Sequence, residues 1–171
     1  MKVKLIFIFF ILLACLSVII LFPFKTYLVI ESRNNPEDYL FLSIEKEKEF
    51  AVFYTHSIHK SLVEEWYALS ENDRIKQTKL VYEDTAIGMP SNSESGGEFV
   101  RTDDGKYVIE NINRTFTSIN MRIGQVIANH KLVFRNNLYE FSEYFPEGSV
   151  VTIKAKKISL WQKWKGVKVD E

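Results

Sequence analysis

Three histidines, His56, His59 and His130, are the side chains of this sequence that ordinarily titrate near neutrality, and two of them share one stretch, Tyr54-Thr55-His56-Ser57-Ile58-His59. On a helix His56 and His59 would share a face and could bind one metal ion. On a strand and turn they diverge, so the pair makes no metal site by itself, and Glu65 or His130 could complete one only through tertiary folding. Ser57 beside His56 invites a serine-hydrolase reading. Adjacent strand residues point to opposite faces, however, and no Gly-x-Ser-x-Gly elbow exists. His56 and Glu65 form the more informative pair. If residues 48–57 and 61–69 make a hairpin, Glu65 faces the strand that carries His56, within a residue or two of register. A carboxylate there would stabilise the imidazolium or lock one tautomer. Two readings stay open: a polar cluster that recognises a ligand or partner, or a histidine that bonds the turn and a glutamate in solvent.

Gly88-Met89-Pro90 is turn chemistry, with a glycine that permits φ > 0 and a proline that stiffens the chain. It opens the longest stretch predicted to lack regular structure, residues 86–99, which could form a lid, a docking loop or plain surface. Asn113-Arg114-Thr115 fits a glycosylation sequon, a match common by chance. No cofactor motif is present and none is expected. The chemistry on offer leans away from an enzyme.

The elements that must position these residues read as strands. Segments 26–31, 38–45, 48–57, 61–69, 75–84, 106–111, 114–124, 131–135 and 149–158 are rich in β-branched and aromatic residues, and several alternate. In 75–84, Ile75, Lys79 and Val81 fall on one side and Leu80 and Tyr82 on the other. Asp103-Asp104-Gly105 marks a hairpin turn. Residues 138–145 have apolar spacing that suits one or two helical turns, ended by Pro146. The prediction is a mainly β protein: an antiparallel sandwich or barrel-like domain with one short helix. The tail from Ser159, with Trp161 and Trp164 among lysines, suits an edge strand packing its tryptophans on the core better than a segment at a lipid interface.

Ahead of this domain, Leu5–Phe24 is a run of twenty uncharged residues, enough as a helix to span about 30 Å of hydrocarbon. Its one hydroxyl, Ser17, can bond back to a helical carbonyl. Residues 1–25 are therefore expected to be a membrane anchor or signal, and residues 26–171 an extracytoplasmic domain. Leu12-Leu13-Ala14-Cys15 resembles a lipobox, but an apolar tail would follow the cleaved cysteine. Two lysines precede the run and one comes after it, which places the N-terminus in the cytoplasm of a single-pass protein in the cell membrane.

Composition narrows the function further. Of 22 basic residues, Lys2, Lys4 and Lys25 flank the apolar run, leaving 19 against 22 acidic residues. A mildly acidic domain lacks the basic footprint of a nucleic-acid binder. The one cysteine, Cys15, lies within the run, so the domain has no disulfide and no thiolate chemistry. With 46% hydrophobic and 14% aromatic residues it must rest on its core.

Taken together, Phe53–Tyr67 and Tyr82–Ser91 resemble the bacterial family DUF1850, a domain of unknown function. The matching elements are Tyr54-Thr55-His56-Ser57 with Ile58 in place of valine, Ser61-Leu62-Val63-Glu64-Glu65 with leucine where proline is frequent, and Ile87-Gly88-Met89-Pro90 with Ala86 at a glycine position. The resemblance covers most of residues 38–155. It implies ligand or partner binding by Tyr54, His56, Ser57, Glu65, Gly88 and Pro90. Members tend to be encoded beside TRAP-type carriers that use a TAXI-class solute receptor. That implies an accessory role, with a TRAP-type permease and its receptor as partners alongside the lipid around residues 5–24. The rivals are an envelope hydrolase using His56 and Glu65 as acid and base, and a purely structural envelope protein.

Overall fold

The structure is a computed structural model describing residues 2–35, 38–44, 48–58, 60–70, 72–84, 89–90, 96–125, 127–165 and 167–168. Helix α1 (Lys2–Leu21) comes first. Its segment Val3–Leu21, 19 residues and none of it buried, is long and apolar enough to cross a membrane or to serve as an export signal. Ser17 Oγ donates to the Leu13 carbonyl at 2.9 Å, as its place in an apolar helix requires.

Two sheets come after it. One orders its strands β13 (Val167–Lys168), β2 (Tyr39–Ser43), β1 (Lys25–Ser32), β12 (Val150–Ile158) and β9 (Ile119–Arg122). The other runs β11 (Asn137–Glu140), β10 (Lys131–Phe134), β3 (Glu49–Thr55), β4 (Leu62–Leu69), β5 (Ile75–Tyr82), β7 (Tyr107–Glu110) and β6 (Glu98–Arg101), with β8 (Arg114–Phe116) also on β5. Apart from β13 on β2, the pairings are antiparallel. One core cluster takes Leu28, Ile30, Leu40 and Ile153 from the first sheet and Phe50, Val52, Leu132 and Phe134 from the second. The fold is thus a sandwich of two sheets, one of the two antiparallel β architectures that the strand pattern predicts. A second cluster, Val63, Leu80, Tyr82, Ile109 and Ile112, extends along the larger sheet.

Four segments differ from the sequence-based expectation. In β5 an irregularity opposite Trp66 and Tyr67 leaves Thr78 unmatched, and its Oγ1 donates to the Trp66 carbonyl at 3.2 Å. That extra residue resets the alternation, so Ile75, Leu80 and Tyr82 are all buried. The 114–124 run is two strands in different sheets, β8 on β5 and β9 on β12. Phe99 belongs to strand β6, which pairs with β7 across the predicted Asp103–Gly105 turn, where Gly105 sits at φ +88°. Finally, Leu138–Glu140 belongs to a hairpin turned at Arg135 and Asn136, both with φ > 0, and α2 is the single turn Phe141–Tyr144.

The tail corrects a further expectation. Residues Leu160–Lys165 form helix α3, whose Trp161 and Trp164 are 44% and 72% exposed and not packed into the core. An edge strand does come next, but it is the two residues of β13.

Candidate functional site

Strands β3 and β4 pair as the predicted hairpin, in the register Phe50↔Tyr67, Val52↔Glu65 and Tyr54↔Val63. Paired residues share a sheet face, and this is the face that carries the core. Glu65 is therefore set on the inner face, half-buried, between Val52 of β3 and Leu80 of β5. A carboxylate in that position needs donors. Two phenols supply them: Tyr54 donates to Oε1 at 3.2 Å and Tyr67 to Oε2 at 2.6 Å.

Each tyrosine is held from behind. Tyr67 is buried and stacks on Phe50 at 5.2 Å between centroids. Tyr54 stacks on His130, also at 5.2 Å and 27° from parallel. His130 is pinned in turn, its Nδ1 accepting the Gly124 N–H at 3.3 Å and its carbonyl the Phe141 N–H at 3.0 Å. With Nδ1 an acceptor, the neutral ring carries its proton on Nε2. Gly124 is required by close approach, since a Cβ there would lie 2.4 Å from that of Ala128.

Burial, then the charge of Glu65 and the bond to it, push the Tyr54 and Tyr67 hydroxyls well above the ordinary phenol range. Burial and then the neighbouring Tyr107 raise the Tyr82 hydroxyl. Burial lowers His130. Phenols raised in the folded state add stability that is fully present below about pH 10 and lost as pH climbs through their folded values. A histidine lowered in the folded state adds stability that is present above about pH 6.5 and lost as pH falls through its folded value. In an alkaline absorbance titration, Tyr54 and Tyr67 are expected to stay protonated until the protein unfolds. Early ionisation of all eight tyrosines would contradict this.

The residues singled out in the sequence are only partly assembled. His56 pairs with Ser61, its N–H donating to that carbonyl at 2.9 Å, while Glu65 stands opposite Val52. Three rungs of ladder separate the pairs, about 13 Å along the strands. The expected register of a residue or two was too close, because the four-residue loop 57–60 closes on His56 itself, with Lys60 at φ +55°. Glu65 takes phenols in place of the imidazole. Ser57 is exposed at the hairpin tip. Gly88 and His59 lie outside the described residues. Pro90 does join the site's sheet: its carbonyl accepts the Tyr82 hydroxyl, and Tyr82 lies opposite Val63, which lies opposite Tyr54. Tyr54 and Met89 pack against one cluster. Two sequence-distant motifs therefore meet at one end of the sheet.

Comparison with known proteins bears on this same region. The family model described as "Domain of unknown function (DUF1850)" matches residues 50–141, more than half of the chain. The chain belongs to the DUF1850 family. No curated protein and no solved structure matches it significantly. The matched DUF1850 region runs from Phe50 of β3 to Phe141 at the start of α2, and so takes in nearly all of the larger sheet. Tyr54, Glu65, Tyr67, Pro90 and His130 all fall inside it.

Sequence reasoning on the DUF1850 domain missed Tyr67 as a partner of Glu65. The signal was available, since i and i+2 on a strand share a face. It gave no route to the stacking of His130 on Tyr54, which depends on β10 pairing with β3. Beyond Gly124 a polar cleft of about 240 Å³ opens, lined by Gln125, Asn129, Glu140 and Ser142. Lys131, bonded to Glu140 at 2.6 Å, holds that carboxyl below its usual range. Among the described residues, no three His, Cys, Asp or Glu side chains are grouped to hold a metal ion.

Proposed function

We propose that this DUF1850 protein is a membrane-anchored extracytoplasmic binding module, accessory to a TRAP-type carrier that works with a TAXI-class solute receptor. The observation that carries the binding role is Glu65: a carboxylate on the inner sheet face, braced by two phenols and backed by His130. Such a group costs desolvation that an apolar residue there would avoid, and recognition of a polar or cationic group is one return for that cost. Tyr54, His56, Ser57, Glu65, Gly88 and Pro90 are the proposed contact residues, with Tyr67 and His130 as their supports. The partners come from the family resemblance, and the anchor from the apolar α1.

The hydrolase alternative is less well supported. An acid–base pair must meet across a hydrogen bond or one water. His56 and Glu65 stand about 13 Å apart along the ladder, and both Glu65 oxygens already accept phenol protons.

A reporter fused after Glu171 tests the compartment. Alkaline phosphatase at that position is expected to be active and a cytoplasm-dependent fluorescent protein dark. The reverse pattern would remove the proposed location and the partners with it.

A further inference from the structure

Helix α3 begins with a reciprocal cap. The Gln162 N–H donates to Ser159 Oγ at 3.2 Å, and the Ser159 N–H donates to Gln162 Oε1 at 3.0 Å. A helix of six residues capped in this way is a formed element and not a frayed tail. It starts where β12 ends, and Ile158 at that end lies opposite Lys25, the first residue of β1. Lys25 comes after α1 with only Phe22, Pro23 and Phe24 between. Helices α1 and α3 therefore share one end of the smaller sheet. Between them lies an apolar cleft of about 190 Å³, lined by Ile19 of α1, Phe22 and Phe24 of the connection, and Leu160 and Lys163 of α3.

The outer side of this junction is apolar and exposed: Phe22 56%, Phe24 58%, Leu160 53% and Trp164 72%. Trp161 and Trp164 lie against each other at 5.5 Å. Around them stand cations. Lys25 and Lys163 line the cleft itself, and Lys163 lies over the Tyr27 ring. Whatever medium covers Ile19 and Phe22 at the foot of α1 must reach Leu160 as well, because they line one cleft, and Trp164, four residues on along α3, shares the face of Leu160. Tryptophan and lysine beside the end of an apolar span are the residues that settle at the boundary between acyl chains and headgroups.

We propose that α3 is an interfacial helix, lying in the headgroup region of the leaflet from which α1 emerges. Its tryptophans sit at the acyl boundary, and Lys25 and Lys163 face anionic headgroups. The domain is then held to the bilayer at two points, which fixes its orientation and does not leave it to swing on α1. This inference rests on α1 being a retained membrane span.

The test uses the full chain reconstituted in vesicles of phosphatidylcholine and phosphatidylglycerol, with bromine placed high on the acyl chains. Of the three tryptophans, Trp66 lies on β4 and the other two on α3. The native chain is expected to lose about half its tryptophan emission relative to unbrominated vesicles. W161F/W164F, altered at two exposed positions, is expected to lose little. If the native chain floats with the vesicles yet shows no more quenching than W161F/W164F, α3 does not lie at the interface, although α1 spans. A chain that does not float with the vesicles overturns both readings.

Discussion

Phe141→Ala is expected to lower folding stability by about 3–5 kcal/mol, the cost of emptying a phenylalanine site that cannot collapse. Phe141 is fully buried at the start of α2 and meets Phe145 edge to face at 6.2 Å. Its N–H holds the His130 carbonyl, so it also ties the β10–β11 hairpin to the core behind Tyr54. A domain of this size has about 5–15 kcal/mol in hand. The variant should therefore unfold at much lower urea, and an unchanged midpoint would mean that the core is not built around this residue. Phe141→Leu keeps most of the volume and should lose less.

Glu65→Ala is expected to cost about 2–3 kcal/mol, because it strands one buried and one half-buried phenol donor that had a charged acceptor. The shorter bond matters more. Tyr67→Phe, which removes the 2.6 Å donor, should cost about 1–2 kcal/mol. Tyr54→Phe, at 3.2 Å, should cost less. Glu65→Gln keeps an acceptor oxygen for one phenol and should fall between the native protein and Glu65→Ala. If Glu65→Ala left stability unchanged or raised it, the phenol bonds would not offset the desolvation of the carboxylate. Glu65 is half-buried, not sealed, so water still moderates that desolvation.

Much of the fold was legible because strand alternation is a local property. The β3–β4 hairpin, the Asp103–Gly105 turn and the mainly antiparallel β class all arise from residues close in sequence. What escaped was long-range or one residue wide. The irregularity at Thr78 resets the faces of β5 without any glycine to announce it. Thr117 and Ser118 carry the chain from one sheet to the other inside what reads as a single strand. Leu138, Tyr139 and Phe141 have spacing that suits a helix as well as a hairpin, and the two positive-φ residues before them decide for the hairpin. The edge-strand reading of the tail passed over the S-x-x-Q pattern of Ser159 and Gln162, the pair that caps α3.

The site was legible in part for the same reason. Glu65 was found from its type and its placement on the strand facing the one that carries His56, and Tyr54 from the resemblance to DUF1850. The identity of Glu65's partners depended on a loop that closes on His56 and shifts the imidazole away from the carboxylate. Pro90 reaches the site only through the Tyr82 hydroxyl. His130 reaches it only through the pairing of β10 with β3. Neither connection leaves a trace in spacing.

The binding role requires the Glu65 cluster to recognise a partner at the membrane. The direct measurement is co-isolation of a TRAP-type permease or its TAXI-class receptor with the full chain from gently solubilised membranes, beside Glu65→Gln checked to be folded. The native chain is expected to retrieve the carrier or receptor, and Glu65→Gln about tenfold less. Retrieval of neither by the native chain, or equal retrieval by the folded variant, would contradict it.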